Sequence, residues 1–137
     1  MSSNFQRTLI AAVLAASLQL AHAADVPVTL TGGQEVPPVA TAAKGSGTLT
    51  IAADKSVTGT ITTTGIAGIM AHIHEGAAGK NGPPIITLEK GANGTWSVPA
   101  GAKLTDAQYQ SFKAGNLYVN VHSDEHKGGE IRAQLKP

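Results

Sequence analysis

The sequence predicts an all-β domain, an antiparallel Greek-key-like sandwich or flattened barrel with one short helix. Three observations carry this. Apolar residues mostly alternate with polar ones instead of recurring at helical spacing. Thr and Val, which suit a pleated, half-buried surface, are abundant. The alternating runs are short, and breaks rich in Gly, Pro and Asn separate them.

The chain opens on a segment that lies outside the fold. Arg7 supplies a positive start, and Thr8 to Leu20 is an apolar stretch too short to cross a bilayer. Ala21-His22-Ala23 is a small-x-small cleavage site, so residues 1–23 read as a secretory signal peptide. Residues 24–137 are then one domain of 114 residues, periplasmic or secreted. Val26 to Leu30 alternates as a first strand. Gly47 to Ala53 puts Leu49 and Ile51 on one face, Asp54-Lys55 turns, and Ser56 to Thr64 alternates again through Val57, Gly59 and Ile61. These two runs make a hairpin.

Ile69 to Glu75 is the next strand. Ile69, Ala71 and Ile73 fall on the core face, and Met70, His72 and His74 share the other. Gly76 to Pro84 is a loop without phosphate-cradle spacing or a following helix. Ile85 to Leu88 and Thr95 to Val98 are short strands around a turn at Ala92-Asn93-Gly94. Thr105-Asp106-Ala107-Gln108 is a capping box that starts a helix over Asp106 to Ala114, and Gly115 stops it. Asn116 to His122 places Leu117, Val119 and Val121 inward. Glu130 to Leu135 does the same with Ile131, Ala133 and Leu135, leaving Arg132 on the opposite face.

Composition excludes several classes. Ten basic residues, one of them Arg7 of the leader, stand against nine acidic ones, and no basic stripe appears. Nucleic acid and an anionic membrane surface are therefore not expected partners. No second apolar stretch reaches spanning length, so membrane insertion is not expected. The chain has no cysteine, which removes disulfides and thiolate metal sites. Ser123 is the only serine near a histidine, and no base and orienter accompany it, so no hydrolase is indicated.

Four of the five histidines fall in two clusters, Ala71-His72-Ile73-His74-Glu75 and Val121-His122-Ser123-Asp124-Glu125-His126. Residues two apart on a strand share a face, so His72 and His74 present two imidazoles side by side. His122 closes a later strand and brings a third; His126, in the loop beyond, offers a fourth. The plain alternative is a solvated strand face. Neutral imidazole suits copper and zinc, and without thiolates copper(II) leads the affinity order, with zinc as the rival. Met70 is a soft donor on the same face, with packing as its other role. Glu75 and Asp124 are candidates to hold a ligand's second N–H. Arg132 is the candidate to guide an anion toward the metal, unless a salt bridge holds it.

Several blocks resemble the chordin-type (CHRD) domain family. They are Thr29-Leu30-Thr31-Gly32-Gly33-Gln34-Glu35-Val36-Pro37-Pro38, Ala71-His72-Ile73-His74-Glu75-Gly76-Ala77 with Asn81-Gly82-Pro83, Leu104-Thr105-Asp106-Ala107-Gln108, Gly115-Asn116-Leu117-Tyr118-Val119-Asn120-Val121-His122 and Gly128-Gly129-Glu130-Ile131-Arg132-Ala133-Gln134-Leu135. This resemblance implies a β-rich extracytoplasmic domain. A narrower one concerns His72, His74 and His122, which match in type and order the copper ligands of copper-zinc superoxide dismutases. The disulfide cysteines and the zinc-loop pattern of those enzymes are missing, so a copper-only centre is the version it implies, with superoxide as substrate. The expectation is an exported copper-binding domain in copper handling or superoxide dismutation. The alternatives are a metal-free module that binds a protein or matrix partner, and a structural zinc domain.

Overall fold

The computed structural model describes residues 23–137. The expected leader, Ala23 apart, lies outside the described residues. Among the described residues nine antiparallel strands make one sheet: β1 (Ala24–Thr31), β2 (Lys44–Ile51), β3 (Val57–Thr64), β4 (Gly68–Glu75), β5 (Pro84–Thr87), β6 (Glu89–Lys90), β7 (Thr95–Ser97), β8 (Leu117–Ser123) and β9 (Ile131–Leu135). Their order is β5-β4-β8-β9-β1-β2-β3-β7-β6. The two edges, β5 and β6, are separated only by Leu88, whose N–H donates to Ala71 O of β4 at 2.9 Å. One kinked segment thus pairs with β4 at its start and β7 at its end, and the sheet curls into a nearly closed barrel. Closure removes the exposed edge that an open sheet would leave.

β4, the β5–β6 segment and β7 are successive antiparallel neighbours, and β7 returns beside β3. That is the Greek-key connection the alternating runs pointed to. The β2–β3 hairpin forms as expected, with Lys55 in the left-handed region at φ 73° in its turn. The capping box is complete: Thr105 Oγ1 accepts from Gln108 N at 3.1 Å, and Gln108 Oε1 accepts from Thr105 N at 2.9 Å. It starts α1 (Asp106–Lys113).

Inward residues of every long strand fill the core, among them Leu30, Leu49, Ile61, Ala71, Ile73, Val119, Ile131 and Leu135. One expected core residue is not there. Ile69 is 39 % exposed. The register of β4 against β8 shifts between Gly68 and Met70, so Ile69 is the extra residue of a β-bulge and leaves the inward series.

The two faces of β8 differ from simple alternation. All seven of its residues are buried. Leu117, Val119 and Val121 face the core. Tyr118, Asn120 and His122 face outward, where the loops after β1, β4 and β8 cover them. Two glycines make this cover fit. A side chain at Gly82 would strike the Glu75 carbonyl, and one at Gly129, which has φ 123°, would strike Asn120 and Glu35.

Candidate metal centre

The antiparallel register of β4 on β8 assembles the site. Met70 pairs with His122, His72 with Asn120, and His74 with Tyr118. All six side chains stand on the outer face. One ligand atom from each of His72, His74 and His122 lies within 4.8 Å of the others.

Hydrogen bonds decide which nitrogen each ring offers. His74 Nδ1 is 2.9 Å from Gly82 O, and His122 Nδ1 is 2.8 Å from Lys127 O. A carbonyl only accepts, so both Nδ1 atoms carry the proton and both Nε2 atoms keep a lone pair. His122 Nε2 lies 3.0 Å from His72 Nδ1, and His74 Nε2 is buried without a hydrogen-bond partner. Bonds of about 2.0 Å to a shared ion set tetrahedral nitrogens roughly 3.3 Å apart. The His72–His122 pair is already near that spacing.

Burial favours the neutral form of His72 and His74. Burial, with the neighbouring His122 and His74 charges, lowers the His72 pKa from its ordinary 6.5. Burial is the largest cause for His74 too, partly opposed by its bond to Gly82. Neutral imidazole is the ligating form.

A buried polar layer backs the trio. The His74 ring stacks on Tyr118, with centroids 4.8 Å apart and planes 3° from parallel. The Arg132 guanidinium carbon lies 3.4 Å from the same Tyr118 centroid. β4 and β9 flank β8 on opposite sides, so a planar stack runs from His74 through Tyr118 to Arg132. The Tyr118 hydroxyl accepts from Gly82 N at 3.0 Å. Glu35 and Asn120 complete the layer, and Glu35 Oε1 and Asn120 Oδ1 are buried without hydrogen-bond partners. Burial pushes the Glu35 pKa up to about 7, against the pull of Asn120 and the Arg132 charge.

The expected residues divide clearly. His72, His74 and His122 come together. His126 does not join them; it groups with Glu125 and Glu130. Backbone carbonyls, not Glu75 or Asp124, hold the distal N–H groups of His74 and His122. Arg132 lies on the outer face as expected, but it is 1 % exposed. Its donors reach Ala77 O, Gln134 Oε1 and Asn81 Oδ1. Among the described residues it forms no salt bridge. Sequence reasoning missed Tyr118, Asn120 and Glu35. The available signal was a strand whose inward series is wholly apolar while its other series reads Tyr, Asn, His.

The chain belongs to the CHRD domain family: the family's model matches residues 26–135, nearly all of the barrel. Membership marks it as a β-rich module of the extracellular kind. No curated protein and no solved structure matches it. Among the described residues, no helix is long and apolar enough to cross a membrane.

Proposed function

We propose that this protein is an exported copper-binding module, periplasmic or secreted, whose centre is built from His72 Nδ1, His74 Nε2 and His122 Nε2. The observation that carries the reading is the buried, unpartnered Nε2 of His74 on a ring that offers one ligand nitrogen within 4.8 Å of one each from His72 and His122. An orphaned buried acceptor costs about 1–3 kcal/mol, which a bound cation would offset. The donor set fits copper: imidazole nitrogens without thiolate rank copper(II) above zinc and the other divalent ions.

Copper bound here would supply one-electron redox chemistry, of use in copper handling or superoxide dismutation. The protein's own share is positional. Gly82 and Lys127 fix two tautomers. Tyr118 holds the His74 plane, and Arg132 holds Tyr118. Arg132 is a positioning residue in this reading, since its guanidinium is buried and donates to Ala77, Asn81 and Gln134. Holding an ion through His72 Nδ1 would require the His72 tautomer that carries its proton on Nε2.

Calorimetric titration with copper(II) tests the reading. The wild type is expected to bind one ion per chain, and His72→Ala and His122→Ala to lose that binding. Equal binding by all three would remove these histidines from the site.

A further inference from the structure

We propose that Met70 supplies a thioether ligand to the same centre when it holds copper(I), completing the set at its open end. The inference rests on the histidine site proposed above and concerns which oxidation state that site retains.

The two roles open to Met70 were packing and ligation. Packing does not account for it: Met70 is 46 % exposed. It and Ile69 are the large apolar side chains left exposed among the described residues. The bulge at Ile69 is what aims Met70. The register shift sets Met70 directly opposite His122, and strand alternation sets it beside His72 on the same face. Directly paired residues have Cβ atoms roughly 4.5–5.5 Å apart. The unbranched methionine side chain, with three rotatable bonds, spans such gaps readily. Bulges recur next to active sites, where they redirect a side chain.

Burial is graded along the strand. His74 is closed in under Tyr118 and Gly82, His72 is half-buried, and Met70 stands at the rim. Met70 therefore marks the exposed end of the strand face that carries His72 and His74. Soft thioether sulfur favours copper(I), whereas zinc and copper(II) are served by the imidazoles. A residue so placed would retain the reduced ion and select it over zinc.

The sulfur can be identified without ambiguity. The chain has no cysteine, and its other methionine is Met1. The test is anaerobic copper(I) competition against a chromophoric chelator, with X-ray absorption at the copper edge, on wild type and Met70→Leu. Leu keeps the apolar bulk and removes the sulfur. Copper(I) affinity is expected to fall at least tenfold in Met70→Leu, copper(II) affinity to stay within twofold, and a sulfur shell to vanish with the substitution. Unchanged copper(I) affinity and no sulfur shell in the wild type would overturn the proposal while leaving copper(II) binding by the histidines intact. Failure of the wild type to bind copper in either state would overturn the histidine site, and this inference with it.

Discussion

The two halves of the barrel wall are built from the same strand chemistry and finished differently. On β2 and β3 burial alternates, with Thr63 the buried exception among the polar side chains that otherwise face outward. On β4, β8 and β9 the inward series is equally apolar, but loops cover most of the outer series, which is polar: His74, Tyr118, Asn120, His122 and Arg132. Burying polar groups is costly unless each finds a partner. The covered half meets that cost almost everywhere, and the exceptions, His74 Nε2, Asn120 Oδ1 and Glu35 Oε1, are confined to one layer. A polar layer that is buried yet incompletely satisfied marks a place where stability alone did not choose the residues.

The contrast can be broken most sharply at the histidines. His74→Ala should weaken copper(II) binding on the order of a thousandfold or more, beyond the roughly ten- to hundredfold typical of groups that only support a ligand. Thr58→Ala, on the exposed face of β3, should leave copper binding unchanged. Titrating both proteins against one competing chelator measures the difference.

Next in size is Arg132. Arg132→Ala removes the donors to Ala77 and Gln134 and the stack on Tyr118, and should destabilise the fold by about 3–4 kcal/mol in urea unfolding. Thr58→Ala should cost within about 0.5 kcal/mol. Equal midpoints would mean the covered layer is no more constrained than the open face.

Glu35 sharpens the comparison through pH. Its folded pKa stands at about 7 against an ordinary 4.5, so the fold favours the neutral carboxyl. The stability it contributes is complete below pH 4.5 and is lost as pH rises through about 7, a change of about 3 kcal/mol at most. His72 and His74 act in the opposite sense. Their lowered values favour neutral rings, a contribution present above pH 6.5 and lost as pH falls through the folded values. Glu35→Gln isolates the carboxyl: the wild-type minus variant stability of the metal-free protein should decline from pH 4.5 to 8. A flat difference would show that Glu35 is ionised in the fold.

The smallest effect belongs to the helix, outside both halves. Thr105→Ala removes one arm of the capping box and should cost about 1 kcal/mol, with copper affinity untouched.

Much of the fold was legible because it rests on local pattern. Alternation located the long strands, and the capping box located α1. Ile69 was misplaced because a bulge is a property of two paired strands, and the β4 sequence alone carries no mark of it. The trio was legible because strand periodicity sets His72 beside His74 and the end of an apolar strand supplies His122. What was hidden depends on loops. No pattern shows that loops fold over β8 and bury its outer face, that the carbonyls of Gly82 and Lys127 orient two rings, or that His126 turns toward Glu125 and Glu130. Arg132 was expected to guide an anion or to hold a salt bridge, and its burial under the loops with carbonyl and amide partners was hidden for the same reason.

The central claim is that three imidazoles converge on one ion, two of them through Nε2. X-ray absorption fine structure of the copper(II)-loaded protein, with multiple scattering to count imidazoles, tests it most directly. Three imidazole nitrogens at about 2.0 Å are expected, with one imidazole lost in each of His72→Ala, His74→Ala and His122→Ala and none lost in His126→Ala. A spectrum with one imidazole or none, or one unchanged by all four substitutions, would contradict it.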